Sequence, residues 1–242
     1  MHALHTHGPT SPDAPHTHGP TPDAPATAGR LIRWARFYDP LVWLMTLGQT
    51  RKLRALPLDL AALRPGERVL EIGCGTGAVA LPAARRVGPG GRVVGIDAAP
   101  EMIAEARRKA RRAHNPAQFR VEPAEALSFP ARSFDVALSS LMMHHLPGDL
   151  KRRALIEIRR VLRPGGRVII VDFQPNAAPL RLWQPGGLIA MVHKRRAPTG
   201  TADAAAGLPA LAALLRDTGF TGVETGPTRS AWIGYARGEA PG

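Results

Sequence analysis

Cysteine is nearly missing from this chain. Cys74 stands alone among 242 residues, which excludes an internal disulfide and suits a reducing compartment. No run of about 18 apolar residues occurs, so no membrane-spanning helix is expected. The first residues lack a basic stretch followed by an apolar one, so no secretory leader is expected and the location reads as cytoplasmic. No Cys/His cluster has metal-ligand spacing, so no metal is expected, and no Ser-His-Asp pattern appears. Acidic residues are few, 19 against 32 Lys and Arg, giving a formal charge of +13. No Lys or Arg precedes Arg30, so the basic surplus belongs to the later part. Its arginines are scattered among Ala, Pro and Gly, which reads as a general bias rather than a nucleic-acid footprint.

What is present divides at residue 30. Residues 1–29 hold two near copies of a His-Thr-His-Gly-Pro segment, at His5 and His16, dense in Pro and Gly. Almost no large apolar residue is available there, so a disordered tail is expected. Its His-x-His pairs have no carboxylate or thiol support for a metal. Residues 30–242 have the length and the ordinary apolar content of one globular domain.

That domain is organised around Arg68 to Gly77. Val69, Leu70 and Ile72 suit a buried strand. Gly73, Gly75 and Gly77 then recur at every second position, and helical spacing begins at Ala78. Strand, glycine turn and helix N-terminus make a nucleotide-type site. Gly73, Gly75 and Ala78 fit the dinucleotide fingerprint. Glu71 speaks against it, because a carboxylate there repels a pyrophosphate and favours a ligand carrying a positive group. Asp97 follows Gly77 by twenty residues, at the end of a second strand, Arg92 to Asp97. A carboxylate at that place accepts hydrogen bonds from ribose hydroxyls, whichever nucleoside is bound.

Glu71, Gly73, Gly75 and Gly77 match E/D-x-G-x-G-x-G position for position. The chain here resembles the class I S-adenosylmethionine (SAM) dependent methyltransferases of the ubiquinone/menaquinone-biosynthesis type. The resemblance extends over roughly residues 31–237. Phe37-Tyr38-Asp39 is similar to the segment ahead of the SAM domain, and Ser133 to Ser139 carries the F-D-x-[VI] strand. Val161 to Arg167 is similar to L-[KR]-P-G-G, which reads as a structural turn ahead of a fifth strand, Arg167 to Phe173. The resemblance implies an α/β fold: a Rossmann-like seven-stranded, mostly parallel sheet, the last strand antiparallel, with helices on both faces.

The same resemblance implies SAM as cofactor, held by Glu71, Gly73, Cys74, Gly75, Gly77, Asp97, Ala98, Met102, Ala124, Glu125 and Ser139. Cys74 reads as packing. Pro123 stands where the family has an aspartate for the adenine amino group, so the Ala124 amide and Glu125 are left for that ring. His144 and His145 fall in the loop after the fourth strand, where either could serve as general base. Residues 30–66 would be a helical cap, with Leu53 to Leu63 a helix broken at Pro57. Residues 174–207, apolar and basic, would be a lid over the acceptor. Asp149 is expected to cap the helix that follows Pro147. Leu208 to Thr218 reads as a helix, and Thr221 to Thr225 with Ser230 to Ala236 as a closing hairpin.

The expected reaction is methyl transfer to a small, hydrophobic acceptor, a quinone precursor or a lipid. The apolar, basic flank at Arg51, Lys52 and Arg54 allows peripheral membrane contact. The run Arg107, Arg108, Lys109, Arg111 and Arg112 is the strongest local candidate for a polyanion contact, although a solvated helix face explains it. An RNA or protein methyltransferase, a non-catalytic SAM binder and, least favoured, an NAD oxidoreductase remain as alternatives. Ser139-Ser140-Leu141-Met142 stands where an Asn-Pro-Pro-Tyr catalytic sequence would, and no RNA-binding interleaving of aromatic and basic residues is seen, so no nucleic acid is expected. The sequence does not give an oligomeric state.

Overall fold

A computed structural model describes residue 39 and residues 50–174, 207–228, 230 and 233–242. The expected tail, about half of the cap and nearly all of the lid lie outside the described residues. Seven strands form one sheet: β1 (Arg68–Ile72), β2 (Arg92–Asp97), β3 (Gln118–Val121), β4 (Phe134–Ser140), β5 (Leu162–Phe173), β6 (Thr221–Pro227) and β7 (Ile233–Glu239). Their order is β3-β2-β1-β4-β5-β7-β6, and β7 runs antiparallel to both of its neighbours. The other pairings, β1 with β2 and β4, β2 with β3, and β4 with β5, are parallel. The order reverses at β1, whose neighbours are β2 on one side and β4 on the other. A crevice at the carboxyl ends of β1 and β4 is where such sheets bind ligands.

The helices are α1 (Thr50–Ala61), α2 (Ala80–Val87), α3 (Pro100–Arg112), α4 (Gly148–Val161) and α5 (Gly207–Asp217). Strand periodicity sends alternate residues to opposite faces. Val69, Val93, Val136 and Ile169 pack with Leu58 of α1, Ala83 of α2 and Ile103 of α3. Their neighbours Leu70, Val94, Ala137 and Ile170 pack with Leu155 and Ile158 of α4 and Leu211 and Leu215 of α5. Helices thus cover both faces, and both strand surfaces must be apolar. That is why these strands read as unbroken Val/Ile/Leu runs.

Three local expectations change. Pro57 does not break α1. Proline removes one helix hydrogen bond, and burial of Leu58 and Ala61 on the sheet outweighs that loss. Arg167 also holds the end of α1, donating to the Ala61 carbonyl at 2.7 Å while pairing with both oxygens of Glu67 at 2.9 Å. Asp149 is not a cap: α4 opens at Gly148 with Pro147 before it, and Asp149 lies in the first turn, where its charge still favours the helix dipole. The Arg-Pro-Gly-Gly turn belongs to β5 itself. The register jumps from Phe134 opposite Leu162 to Val136 opposite Arg167, so residues 163–166 bulge out of the ladder.

Candidate cofactor and active site

Chain direction reverses sharply where β1 ends. Gly73, Gly75 and Gly77 all have positive φ, at 67°, 51° and 80°. Any other residue would be strained there. Space is also lacking at the first of them, since a Cβ on Gly73 would lie 2.1 Å from the Met142 side chain. Cys74 turns inward beneath β2, and a Cβ on Gly95 would meet its sulfur at 2.9 Å. Its N–H donates to the Ile96 carbonyl at 2.8 Å and its carbonyl accepts from Gly77 N–H at 2.9 Å. Burial, with the Glu71 and Asp97 charges nearby, pushes the thiol well above its ordinary range. Cys74 is a free, buried cysteine at this turn.

Glu71 points to the same face as Val69, toward the start of α2. It is 2% exposed. Burial pushes its carboxyl up to about 8, the Ala80 backbone N–H acts against this, and the Asp97 charge adds to it. Its Oε2 is buried with no hydrogen-bond partner among the described residues. The Ser139 hydroxyl is in the same condition at the end of β4, beside Ile72 of β1. Buried polar atoms are rarely left in this state; these two stand near the carboxyl ends of β1 and β4, on opposite faces of the sheet, since Glu71 pairs with Leu138 and Ile72 with Ser139.

Asp97 ends β2 on the other side. One oxygen accepts from Gly75 N–H and the other from Ala99 N–H, both at 2.9 Å. Burial raises its carboxyl, and these two donors partly reverse the shift. Each oxygen keeps a second lone pair for a hydroxyl. Ala98 follows it half-buried, and Met102 is buried on the first turn of α3. The orphaned Glu71 oxygen, the bare glycine backbone and Asp97 fit a group with an ammonium and a ribose.

The loop after β3 begins with a buried glutamate that sequence reasoning passed over. Glu122 accepts from both the N–H and the hydroxyl of Ser128. It is therefore spent on the loop, and Pro123 follows with no side-chain donor or acceptor. Ala124 is buried and Glu125 half-buried beside it. From α4, Glu157 accepts Leu127 N–H at 3.0 Å, and Arg160 donates to the Leu127 and Phe129 carbonyls at 2.9 and 2.8 Å.

Beyond β4 the chain makes a short 3-10 turn, Met143–His145. His144 Nδ1 lies 2.6 Å from Asp172 Oδ1, and His144 N–H donates to Asp172 Oδ2 at 3.0 Å. Asp172 is 4% exposed near the end of β5. It was missed in the sequence. Its only signal is one acid near the end of an otherwise apolar strand. The His144 ring stands edge-on to Phe173 at 4.9 Å and tilted against His145 at 4.0 Å. The two histidines thus lie together, and Asp172 holds His144.

A methyltransferase-domain family model matches residues 69–166. A 2-phytyl-1,4-naphtoquinone methyltransferase of Synechocystis is 34% identical over 169 residues, which is 67% of this chain and 70% of that protein. The chain belongs to the class I SAM-dependent methyltransferases. This methyltransferase is also 42% identical over 163 residues, 65% of its length, to a nocamycin O-methyltransferase of Saccharothrix syringae, of which it spans 55%. In fold it resembles a SAM-dependent methyltransferase from Aquifex aeolicus, with a TM-score of 0.61 at 18% identity, covering 85% of this chain and 96% of that one. SAM is its cofactor. Among the described residues no helix is long and apolar enough to cross a membrane.

Proposed function

We propose that this methyltransferase acts on a small, hydrophobic, proton-bearing acceptor of the quinol or phenol kind, or a lipid. The observation that carries this reading is the Asp172-held imidazole of His144, set among Phe173 and His145 at the carboxyl end of the sheet. Glu71 would hold the ammonium of SAM and Asp97 its ribose, with Gly73, Gly75 and Gly77 giving close backbone approach. Ala98, Met102, Ala124, Glu125 and Ser139 would line the rest. The bound sulfonium supplies an already activated methyl group.

The chain's own work is then alignment, exclusion of water and handling of one proton. The contact of Nδ1 with Asp172 fixes the tautomer with Nδ1 protonated, so Nε2 is the basic nitrogen. Nε2 takes the acceptor's proton as its oxygen or carbon becomes nucleophilic, and Asp172 stabilises the imidazolium that results. Both the naphthoquinone enzyme and the nocamycin enzyme, by their names, act on small molecules, which supports this acceptor class. The test is S-adenosylhomocysteine release with naphthoquinols, phenols and lipids offered separately. Turnover with quinols or lipids supports the reading, and turnover with RNA or protein alone refutes it.

A further inference from the structure

The glycine turn is held from two sides. On the inner side Asp97 accepts from Gly75 N–H at 2.9 Å. On the other, the hydroxyl of the next residue, Thr76, donates to Asp39, with distances of 3.0 and 3.2 Å to its two oxygens. Thr76 is 1% exposed and lies between two glycines of positive φ. A backbone with that much freedom keeps one shape only if something fixes it. Asp39 is itself fixed by cations from two helices: Arg54 of α1 at 2.8 Å and Lys109 of α3 in close contact.

We propose that Asp39 is a positioning residue for SAM: its carboxylate, clamped by Arg54 and Lys109, pins Thr76 and so sets the glycine turn in the shape that receives the cofactor. Asp39 touches neither the cofactor crevice's orphaned atoms nor His144, and it acts only through Thr76. Burial works to raise its carboxyl, but the bond to and charge of Lys109, with Arg54 and Thr76, outweigh burial and hold it below the usual range. Asp39 is thus an anion at neutral pH. Lys109 otherwise reads as one charge in a solvated basic run. The clamp gives that residue a separate task, distinct from its neighbours Arg107 and Arg111.

The inference rests on the glycine turn as the SAM cradle, so the experiment begins with that. SAM is titrated calorimetrically into the full chain and into Asp39→Asn, Thr76→Val and the double variant. The unliganded melting temperature is recorded for each. Thr76→Val keeps the side-chain shape and both ion pairs, so it stays informative if Asp39→Asn folds poorly. Each single variant should weaken SAM about tenfold, the scale of one lost charge-assisted hydrogen bond. The double variant should be no weaker than the weaker single one, because Asp39 acts on the turn only through Thr76. Asp39→Glu should recover part of the loss. At saturating SAM, kcat should stay within about threefold while KM for SAM rises. Folded Thr76→Val binding SAM within about twofold of the parent overturns the inference, as do losses that multiply in the double variant. Failure of the parent chain to bind SAM would instead overturn the cradle, and the inference with it.

Discussion

His144 and Asp172 are 28 residues apart in sequence and 2.6 Å apart in space, joined by the parallel pairing of β4 with β5. The buried carboxylate holds both the ring and the backbone N–H of His144. Asp172→Asn should keep this shape and remove the charge that stabilises the imidazolium. We expect kcat to fall about a hundredfold, in the range for loss of general-base support, with KM for SAM changed by less than about threefold. His144→Gln should fall as far, and His145→Gln much less. Steady-state rates at saturating SAM check this, and an unchanged kcat in Asp172→Asn contradicts it.

Gly73→Ala should harm folding and cofactor binding together. Its φ of 67° is strained for alanine, and the new Cβ would overlap Met142. A loss of about 1–3 kcal/mol is expected in denaturant unfolding. Pairing it with Met142→Ala removes the Cγ overlap but leaves the Met142 Cβ 2.7 Å away, so with the φ strain also remaining recovery should be incomplete. Full recovery would show that the backbone conformation contributes nothing.

The Glu71 carboxyl gives the protein a pH signature. Its folded value, about 8, lies above its ordinary 4.5. Such a group favours folding most below its unfolded value, and that contribution is lost as pH rises from about 4.5 to about 8. The melting-temperature gain of Glu71→Gln over the parent, both without ligand, should therefore grow between pH 5 and pH 8. Cofactor binding runs the other way. An ammonium partner needs the ionised carboxylate, so SAM affinity should rise with pH up to about 8, by as much as tenfold per unit. Glu71→Gln should bind weakly and lose that slope. Calorimetry at pH 6, 7 and 8 reads both effects.

How much of this was legible in the sequence depends on how local each feature is. The bounds of β2 can be read from a short apolar run flanked by turns, and the glycine turn from its every-second-residue spacing. Glu71 and Asp97 are legible because they sit at fixed offsets from that turn. Pro57 misled, since the helix it interrupts is held by packing and by Arg167, 110 residues further on. Asp172 and the Asp39–Thr76 contact were hidden for a related reason. Their partners are distant in sequence and meet only once the strand order is known. Glu122 carries no motif of its own, and its partner Ser128 lies six residues further on, across the loop.

The most direct test of the central claim is calorimetric titration of the chain and of Asp97→Ala with SAM, S-adenosylhomocysteine and NAD. The expected result is micromolar binding of the two adenosyl ligands to the parent, loss of that binding in Asp97→Ala, and no binding of NAD by either. SAM binding that survives Asp97→Ala unchanged, or NAD binding in its place, would contradict it.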